Sequence, residues 1–188
     1  METRTIFFIG KPGCGKGTQA KLLSEKTGWP VIGTSNGLRE IIAEDGAVGH
    51  KLKETMDAGL LTPYWLASYV YLKSIFAVPE NRSVIFDGAN RTLPEAEIVI
   101  DSLAWLGRPF TIFHLETPDE EVRTRIVLRR EKEGRKDDHV VQQRLKEYYD
   151  FTDKVIEFYR RNGLLVEING VGAPEKIASD INTALGIA

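Results

Sequence analysis

A chain of 188 residues, 42% hydrophobic and 28% charged with a net charge of −2, is long enough for one well-filled core. It carries no basic excess of the kind nucleic-acid binders use. Its single cysteine, Cys14, excludes an internal disulfide. No apolar run approaches the roughly 20 residues of a membrane-spanning helix, and the opening METRTIFFIG lacks the layout of a secretory leader. A soluble, cytoplasmic protein is expected.

Five apolar runs mark strands in chain order: TIFFIG (5–10), PVIG (30–33), SVIFDG (83–88), FTIFHLE (110–116) and LLVEING (164–170). They are near-continuous rather than alternating, as strands covered on both faces are. A glycine-rich turn and the helical run KGTQAKLLSEK follow the first strand. Residues 34–62 read as short helices projecting from the core. Leu61-Thr62-Pro63 opens the next helix, with Thr62 as its N-cap and Pro63 as its first residue. The stretch RREKEGRKDD (129–138) is a second projection. From Val141, the positions Leu145, Tyr148, Thr152, Val155 and Tyr159 follow a 3.6-residue period that ends at Gly163. Strands alternating with helices predict an α/β protein with a five-stranded parallel sheet and right-handed crossovers.

Gly10-Lys11-Pro12-Gly13-Cys14-Gly15-Lys16 matches G-x-x-x-x-G-K between a strand and a helix. Such glycines let backbone N–H groups converge on phosphate oxygens, and the helix N-terminus favours the same charge. Lys16 reaches the β/γ-phosphates in this pattern. The residue after it is Gly17, and the hydroxyl comes one later, at Thr18. Asp87 ends an apolar run, the usual place for an acid near a magnesium–nucleotide complex. The histidines His50, His114 and His139 have no metal-ligand spacing, and no N-K-x-D guanine-reading motif is present.

GKPGCGKGTQA resembles the phosphate loop of adenylate kinases and related nucleoside monophosphate kinases. The resemblance extends through IGTSNGLRE (32–40), MDAGLLT (56–62), FDGANRTLPEAE (86–97), EGRKDD (133–138) and QRLKEYYDFTDKVIEFY (143–159), in the family's order. It implies a P-loop three-layer α/β/α core, with residues 34–62 as a helical acceptor-binding lobe and 129–138 as a short lid. The reaction it implies is transfer of the γ-phosphoryl group of ATP to a nucleoside monophosphate, AMP by default, with Mg²⁺. The acceptor phosphate needs no general base, so alignment, charge neutralisation and exclusion of water carry the work. No zinc is expected, because the lid lacks the four cysteines of the longer type. A monomer is expected.

The resemblance assigns residues one by one. Gly13, Cys14, Gly15, Lys16, Gly17 and Thr18 fall in the ATP-binding loop. Gly172, in NGVGAP (169–174), lies where the family cradles the donor adenine. Arg125 and Arg129 match ATP-side arginines. Arg135 and Arg144 match acceptor-side arginines, and all four close over both nucleotides in the family. Thr34, Arg39, Gly88, Arg91 and Glu95 fall on the acceptor side, and Thr18 and Asp87 near Mg²⁺, held through water. The cations expected to act in the transfer are Lys16, Arg91, Arg125, Arg129, Arg135 and Arg144. Guanidinium forks suit such work because they bind phosphate oxygens bidentately. Asp137 and Asp138 either pair with lid arginines or cap a helix.

The acceptor side departs from the family. DGFPR becomes Asp87-Gly88-Ala89-Asn90-Arg91, and Glu95 replaces the glutamine that reads adenine. A carboxylate only accepts hydrogen bonds, and guanine offers two donors on the edge concerned. Glu95 is equally at home as an acid in the first turn of a helix. A kinase with another or relaxed base preference (GMP, CMP or UMP), and a nucleotide-binding module without transfer activity, therefore stand beside the AMP reading.

Overall fold

The computed structural model describes residues 3–133 and 140–187, with side chains described through Leu128 and again from Val140. Strands β1 (Thr5–Ile9), β2 (Val31–Gly33), β3 (Val84–Asp87), β4 (Phe110–Glu116) and β5 (Leu165–Asn169) form one sheet in the order β2-β3-β1-β4-β5. Every pairing is parallel. Each strand falls within a residue or two of its apolar run.

The two faces of β1 explain why that run does not alternate. Ile6 and Phe8 enter a core shared with α1 (Lys16–Thr27), α6 (Asp119–Glu133) and α9 (Pro174–Leu185). Phe7 and Ile9 enter a second core with α4 (Tyr64–Phe76), α5 (Leu93–Trp105) and α8 (Asp153–Arg161). There Phe7 stacks on Phe86 at 5.1 Å between ring centres. Each fully buried side chain of this kind contributes about 1.5–3 kcal/mol relative to exposure. The central strand ends are therefore firm anchors for the loops that leave them.

Between β2 and β3 lie α2 (Thr34–Ala43) and α3 (Ala47–Asp57), which share a small core with α4 through Leu38, Leu52, Leu66 and Val70. Here the expected cap moves by one residue. Pro63 is itself the N-cap of α4, with ψ of 131°, and the helix begins at Tyr64. Proline's fixed φ suits both positions, so the residue pattern alone does not separate them.

The rod that starts at Val141 also differs from a uniform helix. It runs as α7 (Val141–Glu147), a π-turn (Tyr148–Thr152) and α8, and ends before Gly163 at φ 67°. All five residues of the 3.6-residue pattern are buried. That pattern marks a face and is silent about which carbonyl each N–H finds. Among the described residues, no helix is long and apolar enough to cross a membrane.

Candidate active site

In a parallel sheet, ligands bind beyond the carboxyl ends of the strands. Here the central strand β1 runs into the glycine loop and then α1 at that edge. Lys16 opens α1 and folds back over the loop, its Nζ donating to the carbonyls of Gly10 and Lys11 at 2.8 Å each. The loop must pass close beneath α6. A Cβ on Gly13 would lie 2.6 Å from Cγ1 of Ile126, and Gly13 sits at φ 81°, so both space and conformation demand glycine.

Asp87 ends β3 and pairs in register with Phe8 of β1, which brings its carboxylate beside the loop. A Cβ on Gly17 would stand 3.2 Å from Oδ2 of Asp87. That contact accounts for the glycine after Lys16. A side chain there would crowd the acid, and the hydroxyl is displaced to Thr18.

One cavity of about 940 Å³ runs along this edge, at the upper end of the range for small-molecule sites. Gly172 and Pro174 line one end. Lys16, Thr18 and Asp87 line the middle, and Thr34, Arg39, Gly88, Arg91 and Glu95 the other end. Arg144 of α7 lines it too, its stem packed near Gly59. The cavity thus brings together every described residue that the sequence reading assigned, though not always by its side chain.

At the Arg91 end, Nε of Arg91 donates to the Gly88 carbonyl at 3.1 Å. Arg39 donates to Oδ1 of Asn36 at 3.1 Å. Glu95 is only 5% exposed. Its Oε2 accepts from the Arg91 N–H at 3.1 Å, and its Oε1 from the Thr92 hydroxyl at 3.0 Å. Burial raises its carboxyl above the ordinary range, against the lowering effect of those two bonds. The first-turn role of Glu95 is thus realised, on a residue that also lines the cavity. The Thr34 hydroxyl is buried and without a hydrogen-bond partner among the described residues.

At the Pro174 end, Arg125 commits one N–H of each guanidinium nitrogen to the protein. It donates to Oε1 of Glu121 at 2.7 Å, the Cys14 carbonyl at 3.1 Å and the Gly170 carbonyl at 2.9 Å. A guanidinium held by its edges presents flat faces, which suits stacking on a base better than clasping a phosphate. Gln19 is 2% exposed; its Nε2 donates to the Pro174 carbonyl at 3.0 Å, while Oε1 has no partner among the described residues.

Not every assigned residue faces ligand through its side chain. The Cys14 thiol is fully buried in the core beneath the loop, and its N–H donates to the Lys11 carbonyl at 3.2 Å. The side chain of Arg129, and Arg135, Asp137, Asp138 and His139, lie outside the described residues. His50 is exposed and pairs with Asp45, and His114 is buried against Glu167. Gln19 escaped the sequence reading because it reads as one more helix residue within the quoted run. Lys11 escaped it as an unconstrained position of the loop motif.

A strand, a glycine loop and a helix, set beneath a cavity lined by Lys16, several arginines and Asp87, define a P-loop phosphate-binding α/β protein. The adenylate kinase family model matches residues 8–164. The chain is 34% identical to the adenylate kinase of Thermus thermophilus over 187 residues, covering 98% of each chain. It is 35% identical to that of Leptospira biflexa over 181 residues, 95% of this chain and 97% of that one. It is 34% identical to that of Bacteroides fragilis over 183 residues, covering 96% and 97%. The chain belongs to the adenylate kinase family, and so to the transferases that move a phosphoryl group from ATP to a nucleoside monophosphate.

Proposed function

We propose that the chain phosphorylates AMP with the γ-phosphoryl group of ATP, each nucleotide taking one end of the cavity. The observation that carries this is the continuity of that cavity. It runs from Gly172 and Pro174 past Lys16 and Asp87 to Arg91 and Thr34. Buried polar atoms without partners among the described residues lie at both ends, Oε1 of Gln19 and Oγ1 of Thr34. An orphaned buried acceptor or hydroxyl is costly, and a ligand's hydrogen-bonding groups relieve that cost.

In this reading the loop of Gly13 to Thr18 cradles the ATP phosphates, and Lys16 leaves its two carbonyls to meet the β/γ-phosphates. Arg125 stacks on the donor base near Gly172. Arg39 and Arg91 hold the acceptor phosphate. Arg129, Arg135 and Arg144 neutralise charge between the two. The lobe of residues 34–62 and the lid of 129–138 close over the nucleotides and exclude water. Asp87 and Thr18 fit Mg²⁺, which keeps several waters and needs few protein oxygens. When bound with ATP, the ion supplies neutralisation of the β/γ-phosphates. The chain's own contribution is alignment, since the acceptor arrives as an anion.

Glu95 favours a second reading of the acceptor base. Its buried carboxylate lines the Arg91 end and only accepts hydrogen bonds when ionised, which suits the two donors of guanine.

A coupled assay of ATP consumption with AMP, GMP, CMP, UMP and their deoxy forms tests both, run alongside Glu95→Gln. Acceptor-dependent turnover, fastest with AMP, is the expected result. ATP affinity without acceptor-dependent turnover would identify a binding module and overturn the proposal. Strong AMP preference that Glu95→Gln leaves unchanged would remove Glu95 from base selection.

A further inference from the structure

The helical rod of α7, π-turn and α8 makes three contacts that reach out of it within six residues. Glu147, largely buried, accepts from the Leu61 N–H at 3.0 Å through Oε2, at the end of the lobe that precedes α4. Tyr149 donates its hydroxyl to Oδ1 of Asp119 at 2.6 Å. Thr152, buried, donates its hydroxyl to the carbonyl of Arg91 at 3.0 Å.

The Asp119 contact leads straight into the phosphate loop. The same Oδ1 lies 2.5 Å from Nζ of Lys11. That ammonium also lies over the rings of Tyr148 and Tyr149, 5.9 and 5.4 Å from their centres. The Lys11 carbonyl in turn accepts from Nζ of Lys16 and from the Cys14 N–H. The hydrogen bonds from Lys11 and then Tyr149 hold the Asp119 carboxyl below its ordinary range. Neither Lys11, Asp119 nor Tyr149 lines the cavity. Their cluster meets the site through the Lys11 carbonyl and Lys16.

One turn thus reaches toward both substrates: toward the donor loop through Tyr149, Asp119 and Lys11, and toward the acceptor arginine through Thr152. Lys11, Asp119 and Tyr149 form a partly exposed cluster that joins the π-turn to the phosphate loop. The turn is also closed by the rarer i→i+5 bonding, which recurs at functional sites. In-line transfer demands that two phosphate-holding elements keep a fixed relation.

Resting on the kinase reading above, we propose that Tyr149 and Thr152 are positioning residues for phosphoryl transfer. Together they make the π-turn a brace that sets the donor loop, through Lys11 and Asp119, against the acceptor clamp at Arg91. Lys11 and Asp119 belong to the brace and are not ligands of substrate.

The test compares Tyr149→Phe, Thr152→Val and the double variant with the parent. The acceptor is the one the parent turns over fastest, and the temperature is well below every unfolding midpoint. Each single variant is expected to lose kcat by about tenfold, since a misplacement of about 1 Å costs about a hundredfold. Both KM values stay within about twofold, because each phosphate still finds its own clamp. The double variant loses no more than about twofold beyond the worse single one, as two ends of one brace should. A merely structural role would move the unfolding midpoint and leave kcat at that temperature alone. Parental kcat in Tyr149→Phe, which keeps the ring and loses only the hydroxyl, overturns the proposal. So does a loss confined to one KM, or losses that multiply in the double variant. A parent without acceptor-dependent turnover fails the kinase reading itself, and the brace falls with it. An active parent with unaffected variants rejects only the brace.

Discussion

Replacing Gly17 by alanine separates stability from chemistry at this site, with opposite signs. Gly17 is the second residue of α1 and is absent from the positive-φ positions, so alanine fits the backbone. Alanine favours a helix over glycine by roughly 0.5–1 kcal/mol. In a chain of this size, 1 kcal/mol corresponds to roughly 2–4 °C in the unfolding midpoint. The new Cβ, however, lands 3.2 Å from Oδ2 of Asp87, so the carboxylate must yield by a few tenths of an ångström. If a misplacement of about 1 Å costs about a hundredfold, this smaller one costs about three- to tenfold in kcat. The Mg²⁺ concentration for half-maximal rate rises with it. Calorimetry and a Mg²⁺ titration at saturating nucleotides measure the two effects on one sample. A variant with a raised midpoint, parental kcat and parental Mg²⁺ requirement would refute the placement of Asp87 at the metal. A lowered midpoint would refute the argument that the carboxylate can move aside.

Three further substitutions probe the rest of the site. Gly13→Ala combines a left-handed backbone, roughly 1–2 kcal/mol, with overpacking against Ile126, roughly 1–3 kcal/mol. Denaturant midpoints should show a loss of about 2–5 kcal/mol, and a loss below about 1 kcal/mol contradicts the close approach of loop and α6. Burial raises the Glu95 carboxyl, so the unfolded chain releases that proton first and the parent loses this contribution as pH rises above the ordinary value of 4.5. Glu95→Gln should therefore gain on the parent between acid pH and neutrality in paired melts at pH 4 and pH 7. An equal gap at both pH values refutes the burial argument. Gln19→Met removes the Oε1 that has no partner among the described residues, and the KM for ATP should rise about three- to tenfold, the worth of one hydrogen bond, while that for GTP stays constant. An equal rise for both nucleotides assigns Gln19 to packing alone.

Strand identity, the parallel sheet and the phosphate loop were legible in the chain because they rest on local patterns. Near-continuous runs such as TIFFIG mark strands buried on both faces, and glycine spacing before Lys16 encodes a loop whose backbone must turn toward an anion. Family motifs in order placed Arg39, Asp87, Arg91 and Arg144, and the fold gathers them around one cavity. Pairing across distance was not legible. Nothing in the residue order says that Gly17 yields space to an acid 70 positions away, that Arg125 spends its fork on the Cys14 and Gly170 carbonyls, or that Tyr149 and Thr152 reach Asp119 and Arg91. Hydrophobic periodicity records which face of an element is buried. Hydrogen-bond partners are chosen only after those faces have packed, when every buried donor must find the nearest acceptor that the assembled fold leaves open. The chain by itself determined the class of chemistry, and tertiary structure decided which side chains remain available for substrate and which are held by the protein.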